Sequence, residues 1–516
     1  DAFADFSEYF IAPFGYRLRY DLITKWQSLG QDFTLGAREL IERIDEAEKL
    51  IDRVIGANVV PRTPFYLLTL LQSHDDTSGP DLASSAFGYY YNYLIVGALK
   101  AQNFPLDQLN EIFNYCANLA WHFHSIGEME ISEAQLRGFN GRFSEQYFQI
   151  DFAARRDLLV RAKLMRKHGD TYSFSYKYIY FYFLGMYIGQ NIGEEDGLKD
   201  LVRDYCSKLQ VSYNANTMLF LAHHCRDNVV IDEIVRALRA VFHGEQRLAF
   251  ESDVVRVNEL VNSTVRIILE DGDPIARRRE SRKLQDDLDR DLGGKELEDA
   301  DHADDFTRQV EALFRTVDIL GQILKNYYGN LKNRRKVELM KEIYDAPLRA
   351  LRSLFDSVHE FQESIVRDIE KGADESNGAH SKEDLEKIAK RIAFEMVAVI
   401  SFVFLNHASS SVGSKFLVET SNSLVKKEKS LAYELMQLGT RLDTAATIPI
   451  SSLREIARKS EGNMLVQRLL EILAVRHVYY FKTSVAEKQA LTDILGISIQ
   501  KQRQIDEITK NKKLES

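Results

Sequence analysis

Tyr176-Lys-Tyr-Ile-Tyr-Phe-Tyr-Phe183 decides the fold reading of this chain, because of what precedes it. A helix from Ala153 to Met165 abuts two short extended pieces, Ala162 to Arg166 and Tyr172 to Ser175. Lys167-His-Gly-Asp-Thr171 makes a tight turn between them, since glycine enters left-handed backbone freely. Helix, β-hairpin and aromatic helix (Tyr176 to Ile188) in that order predict a winged-helix module. Working outward, the next informative stretch is Pro61-Arg-Thr-Pro-Phe-Tyr-Leu-Leu-Thr-Leu-Leu-Gln72. Its Phe65 to Gln72 run is apolar nearly all round, which predicts a helix enclosed on every side.

In front of that run, helical spacing of Leu18, Leu22, Ile23 and Trp26 predicts a helix over Arg17 to Leu29. A second follows from about Leu35 to Ile55. His74 to Ser84 reads as a polar loop, and Tyr89 to Ala98 and Leu106 to Ala120 as further helices. Beyond Leu198 the pattern is helical throughout. Asn216 to Cys225 and Val229 to Val241 read as an antiparallel pair. Leu269 to Asp305 is charge-dense and Gly-punctuated, the signature of a linker or solvated arm. Val310, Leu313, Val317, Leu320, Leu324 and Tyr327 form a helix seam. Gly372 to Gly378 reads as a loop, and Ser381 with Asp384, like Ser452 with Glu455, as a capping box. Ile392 to Leu405 is too short for a membrane span and carries Glu395, so it reads as a buried core helix. The expected fold class is mostly α: a helical domain plus a winged-helix domain, followed by a long all-helical C-terminal region.

The 516 residues suffice for two to four domains. A net charge of -10 argues against broad nucleic-acid binding. Arg155, Arg156, Arg161, Lys163, Arg166 and Lys167 form a basic face that is expected to meet acidic surface of this protein or a neighbouring subunit. Cys116, Cys206 and Cys225 form no CxxC pair and fit buried thiols in a reducing compartment. His122 with His124, and His223-His224-Cys225, lack the spacing of a tetrahedral metal site and read as core or surface histidines. Nothing reads Gly-x-x-x-x-Gly-Lys-Ser/Thr, so no phosphate loop and no ATP hydrolysis is expected of these residues. No catalytic residue and no metal ligand is assigned. The chain starts at Asp1 and runs straight into apolar sequence, from which an upstream region is expected.

The segment Ile11 to Glu195 resembles the helical and winged-helix domains that follow the nucleotide-binding core of STAND-class NTPases, particularly the NACHT branch. Phe6 to Pro13 resembles the last core strand, and Tyr16 to Leu29 the helix entering the first helical domain. Pro64 falls where the family carries the proline that packs on adenine. Phe174-Ser-Tyr-Lys-Tyr-Ile-Tyr-Phe-Tyr-Phe-Leu-Gly185 looks like the winged-helix motif Phe-x-His-x-x-Phe-x-Glu-Tyr/Phe, whose His reaches the β-phosphate of ADP. Tyr176 stands at the His position here, with Lys177 beside it. The resemblance therefore implies Pro64, Tyr176 and Lys177 as cofactor-binding residues for ATP or ADP, with Mg held mainly by a core outside these residues. It implies the domain order 1–15 end of core, 16–131 helical domain, 132–197 winged helix, 198–268 helical region, 269–305 charged linker and 306–516 C-terminal sensor. The implied role is the regulatory and sensor half of a cytoplasmic switch in bacterial antiviral defence. Its partners would be copies of itself, an invader-derived trigger, and upstream nucleotide-binding and effector domains, without membrane or nucleic acid. Bending is expected near Val59 to Pro64 and Gln190 to Gly197. Removing the tail after Leu198 is expected to change activation but not nucleotide affinity. Two other readings stay open: a helical scaffold that never meets a nucleotide, and a winged-helix DNA-binding regulator.

Overall fold

The computed structural model describes residues 13–29, 36–55, 62–76, 87–225, 227–261, 273–291, 305–356, 363, 367, 382–443 and 447–496. Helices dominate: there are 21, and they hold 77% of the described residues, beside one small three-stranded sheet. The front group comprises α1 (Tyr16–Ser28), α2 (Ala37–Ile55), α3 (Pro64–Asp76), α4 (Phe87–Lys100) and α5 (Leu109–Ile126). In α1, Tyr20, Ile23 and Gln27 recur at helical spacing on the buried face, and α2 answers with Ile44, Ala47 and Ile51.

Strand β1 (Ile131–Ser132) leads into α6 (Glu133–Gln146) and α7 (Phe152–Arg161), then β2 (Met165–His168) and β3 (Thr171–Phe174). Ser132 and Gln135 make a reciprocal capping box at the start of α6, and the Asp151 carboxylate caps α7 by accepting from Ala154 N–H at 2.8 Å. The sheet is antiparallel in the order β1-β3-β2, with Met165 opposite Phe174 and Ile131 opposite Tyr172. Gly169 makes the hairpin turn at φ +58°. Helix α8 (Lys177–Asn191) then buries an almost unbroken run from Tyr178 to Gly185, as expected of an element apolar on all sides.

Next come α9 (Asp196–Ser207), α10 (Ser212–His224), α11 (Asn228–Ala240), the one-turn α12 (Val255–Asn258) and α13 (Pro274–Asp291). The remainder is α14 (Asp305–Asn326), α15 (Asn333–Asp356), α16 (Lys382–Ser411), α17 (Val418–Glu428), α18 (Leu431–Leu442), α19 (Ile450–Lys459), α20 (Met464–Tyr480) and α21 (Val485–Leu495). α8 lies against α5 and α10, while α14 packs on α10, α11 and α15. Most buried apolar side chains among the described residues form one contiguous cluster from Tyr20 to Leu491, and Ile41 and Phe481 form a second, small one.

Several expectations are corrected. The charged stretch is not a solvated arm over Pro274–Asp291: it forms α13, packed on α1 and α20, with Arg278 buried. Charge density predicts exposure only when the charges lack partners, and here they have them. α3 is not enclosed all round, since Phe65 is 69% exposed and Leu68 37% exposed. α16 likewise shows Ile392, Met396, Val399 and Val403 to the outside. Much of any protein surface is apolar, so an apolar run does not fix burial. α10 and α11 find their main partners in α8, α9, α14 and α15 rather than in each other. Ser452 lies inside the first turn of α19 and accepts from Arg441, and Pro449 holds the cap position. The expected core strand at Phe6–Pro13 and loop at Gly372–Gly378 lie outside the described residues, except Pro13. Ser381 of the other expected capping box lies outside them too.

Candidate site at the start of α3 and α8

Pro64 opens α3, where a fixed φ and a missing N–H suit the first helical position. The residues before α1 are tied to this point, for Phe14 N–H donates to Arg62 O at 2.7 Å. Two residues into α3, Tyr66 is buried and its ring meets Tyr176 edge-on, with centroids 5.3 Å apart. Tyr178 lies 6.3 Å from Tyr66 and 6.0 Å from Tyr176. Tyr91 of α4 stacks on the far side of Tyr178 at 5.6 Å, and Phe220 of α10 closes the group against Tyr91 at 4.7 Å. Edge-to-face pairs at such spacings add about 0.5–1.5 kcal/mol beyond burial.

Tyr176 caps α8 in extended backbone at φ -141° and ψ 148°, and its side chain makes no capping bond to the helix. Its carbonyl accepts from Ile179 N–H at 3.1 Å. Tyr176 is half-buried, and Lys177 is exposed on the first turn. The positive end of α8 therefore opens beside Lys177, an arrangement that favours an anion. Burial drives the Tyr66 phenol far above its ordinary range, with Tyr178 and Tyr176 adding to the rise. Burial raises Tyr178 as well, against the lowering effect of its hydrogen bond with Tyr66. Both phenols stay neutral, so they can pack on rings or share protons in hydrogen bonds. On the outer face of α3, Phe65 and Leu68 sit one turn apart and exposed.

The fold thus brings the elements of all three sequence-derived residues to one place. Pro64 and Tyr176 are linked through Tyr66, and Lys177 follows directly. Sequence reasoning passed over Tyr66, Tyr91 and Tyr178. The available signal was the phenol two places after Pro64 and the alternation of Tyr176 and Tyr178.

The other candidates are structural. His124 Nδ1 meets Tyr213 Oη at 3.0 Å, and His122 stacks on Phe139. Among the described residues no group of three His, Cys, Asp or Glu could hold a metal ion. The basic face is partly neutralised from within: Arg156 pairs with Glu133 at 3.1 Å, and Arg166 with Glu130 at 3.6 Å. No described helix is long and apolar enough to cross a membrane.

Residues 129–184 match the family model described as Novel STAND NTPase 4. The match runs from just before β1 to the middle of α8, so it takes in the whole sheet, Tyr176 and Lys177, and leaves out Pro64. No curated protein and no solved structure matches the chain. The match supports kinship with STAND NTPases and, at that coarse level, a STAND-like regulatory role.

Proposed function

We propose that this chain is the regulatory and sensor part of a NACHT-like STAND ATPase switch acting in cytoplasmic antiviral defence. In this reading α1 to α5 form the helical domain, and β1 to α8 form a winged helix. Together they close over ADP or ATP held by a nucleotide-binding core outside these residues. The observation that carries the reading is the meeting of the starts of α3 and α8 through Tyr66 and Tyr176, within and beside the segment that matches the family model. The strand–helix–helix–hairpin order and the sheet order β1-β3-β2 support the winged helix. Pro64 would pack on the adenine, and Lys177 at the positive end of α8 would meet phosphate, with Tyr176 beside it. The exposed Phe65 and Leu68 would then be covered by the core.

Helices α14 to α21 would sense an invader-derived component. A trigger that binds the open form better than the closed form shifts the population toward exchange, oligomerisation and effector activation. The test uses the complete protein carrying its nucleotide-binding core. Mass spectrometry of the co-purifying nucleotide should find ADP or ATP, and Tyr176→Ala and Lys177→Glu should speed ADP release. An intact protein that holds no purine nucleotide overturns the reading. Unchanged release in both variants removes Tyr176 and Lys177 from the site.

A further inference from the structure

Helix α13 is bound to its surroundings in an unusual way for a packed helix. Among its described side chains Ile275 is the one hydrophobic packed into an apolar cluster, while Leu284 is 60% exposed. What holds it is charge. Arg278 is 2% exposed, yet it reaches Asp45 at 2.7 Å and Glu48 at 3.1 Å on α2, and its Nε donates to Tyr480 O at 2.9 Å at the end of α20. Arg282 adds a second contact to Glu48. Burial alone would weaken the charge on Arg278, but Asp45 and then Glu48 outweigh it and hold the proton more tightly. Toward α1, Arg279 makes a two-pronged pair with Asp21 at 2.7 and 3.0 Å.

The far end of the helix completes the attachment. The Asp286 carboxylate accepts from Tyr16 N–H at 2.6 Å and Arg17 N–H at 3.0 Å, so α13 supplies the N-terminal cap that α1 lacks of its own. A Cβ on Gly15 would lie 2.3 Å from that carboxylate, which fits glycine at the contact. The apolar contact beneath α13 is small: Ile41 of α2 and Phe481 form a minor cluster with Tyr480 and Ile275, and Ile275 also touches the edge of the main core. The residues joined lie 202 or more apart in the chain.

We propose that α13 is a detachable ionic strap, which holds α1 and α2 through arginine–carboxylate pairs and α20 through the Tyr480 carbonyl, and lifts away as a unit while the rest of the fold stays intact. The physical ground is the kind of contact. Buried ion pairs gain in attraction about what they lose in desolvation, so they fix orientation more than they add stability. Among the described hydrophobic side chains of α13, Ile275 alone has to leave an apolar cluster. The strap therefore controls how the front helices are joined to the last third of the chain, whether or not a nucleotide is present.

The experiment is hydrogen exchange by mass spectrometry on the full chain. The variant Arg279→Asp with Asp286→Ala repels Asp21 and removes the cap. Amides of α13 and α1 should then exchange about tenfold faster, while β1 to β3 and α16 to α18 keep their rates. Adding Asp21→Arg to that variant recreates an opposite-charge pair and should recover at least about threefold of the loss. The proposal is overturned if exchange is unchanged, if it rises equally in β1 to β3 and α16 to α18, or if Asp21→Arg recovers nothing.

Discussion

Replacing Gly185 by alanine should destabilise this protein, although the same change in an open helix stabilises. Gly185 sits inside α8 at its crossing with α10. A Cβ built there lies 2.7 Å from Leu221 N, 2.7 Å from Phe220 C and 3.0 Å from Phe220 Cβ. Two of those atoms are backbone and cannot rotate aside, so the helices must move apart. Overpacking of this kind costs about 1–3 kcal/mol, and the backbone clash places it near the upper end. Alanine's helix propensity returns about 1 kcal/mol. The net is a loss of about 2 kcal/mol. Gly97, in α4, is the control, for its Cβ would meet nothing within 4 Å and is expected to gain up to about 1 kcal/mol. Urea denaturation followed by circular dichroism gives both shifts as midpoints. If Gly185→Ala matches or exceeds the parent while Gly97→Ala behaves as stated, α8 and α10 do not meet so closely.

Two further outcomes follow from the same packing. Tyr66→Ala should lose about 3–5 kcal/mol by emptying the space between α3 and the start of α8, whereas Tyr66→Phe keeps the ring and should lose about 1 kcal/mol, both read from urea midpoints. Burial pushes His223 down to about 4, and burial followed by the neighbouring His223 pushes His224 down to about 3. Unfolded imidazoles protonate near pH 6.5, so the stability from these two is full above that value. It falls as pH drops toward 4, by about 1.4 kcal/mol per unit for each histidine. His223→Gln with His224→Gln should flatten the stability curve between pH 6.5 and 5, and an unaltered slope in urea titrations would contradict the assignment.

The hairpin and α8 were legible because their signals are local. Gly169 marks the turn and the aromatic run marks a buried helix, and neither depends on distant residues. The helix over Phe65 to Gln72 was legible for the same reason. The rings that join α3 to α8 were not, because the sequence shows Tyr66 and Tyr176 separately and only the fold sets them 5.3 Å apart. α13 failed most clearly. Arg278, Asp45 and Glu48 each look like ordinary surface charges, and their pairing across more than 200 residues leaves no periodic trace. The outward faces of α3 and α16 misled in the opposite sense, since an apolar side chain on a helix says nothing of whether a neighbour covers it.

The placement of α8 also changes how sensing could be tested. Its start carries Tyr176 and Lys177, and its middle lies backbone-close on α10 through Gly185, with Gly189 beside Cys225. Asn92 of α4 donates to Tyr182 Oη at 2.9 Å, and Tyr180 Oη meets Tyr213 Oη of α10 at 2.7 Å. A hinge at Gln190 to Gly197 would have to part α8 from α10 before it could turn. Deleting everything after Leu198 would strip α10 from α8 and uncover Tyr180, Phe181 and Gly185, so a lost response there would report unfolding rather than lost sensing. The same rigidity offers a direct route for a signal. A displacement of α10 must be passed to α8 as a whole and so to its first turn, some 12 Å away at about 1.5 Å per residue from Gly185. Small substitutions at the α8–α10 crossing, rather than truncation, are therefore the changes that can separate the proposed influence of the tail on Tyr176 and Lys177 from its support of the fold.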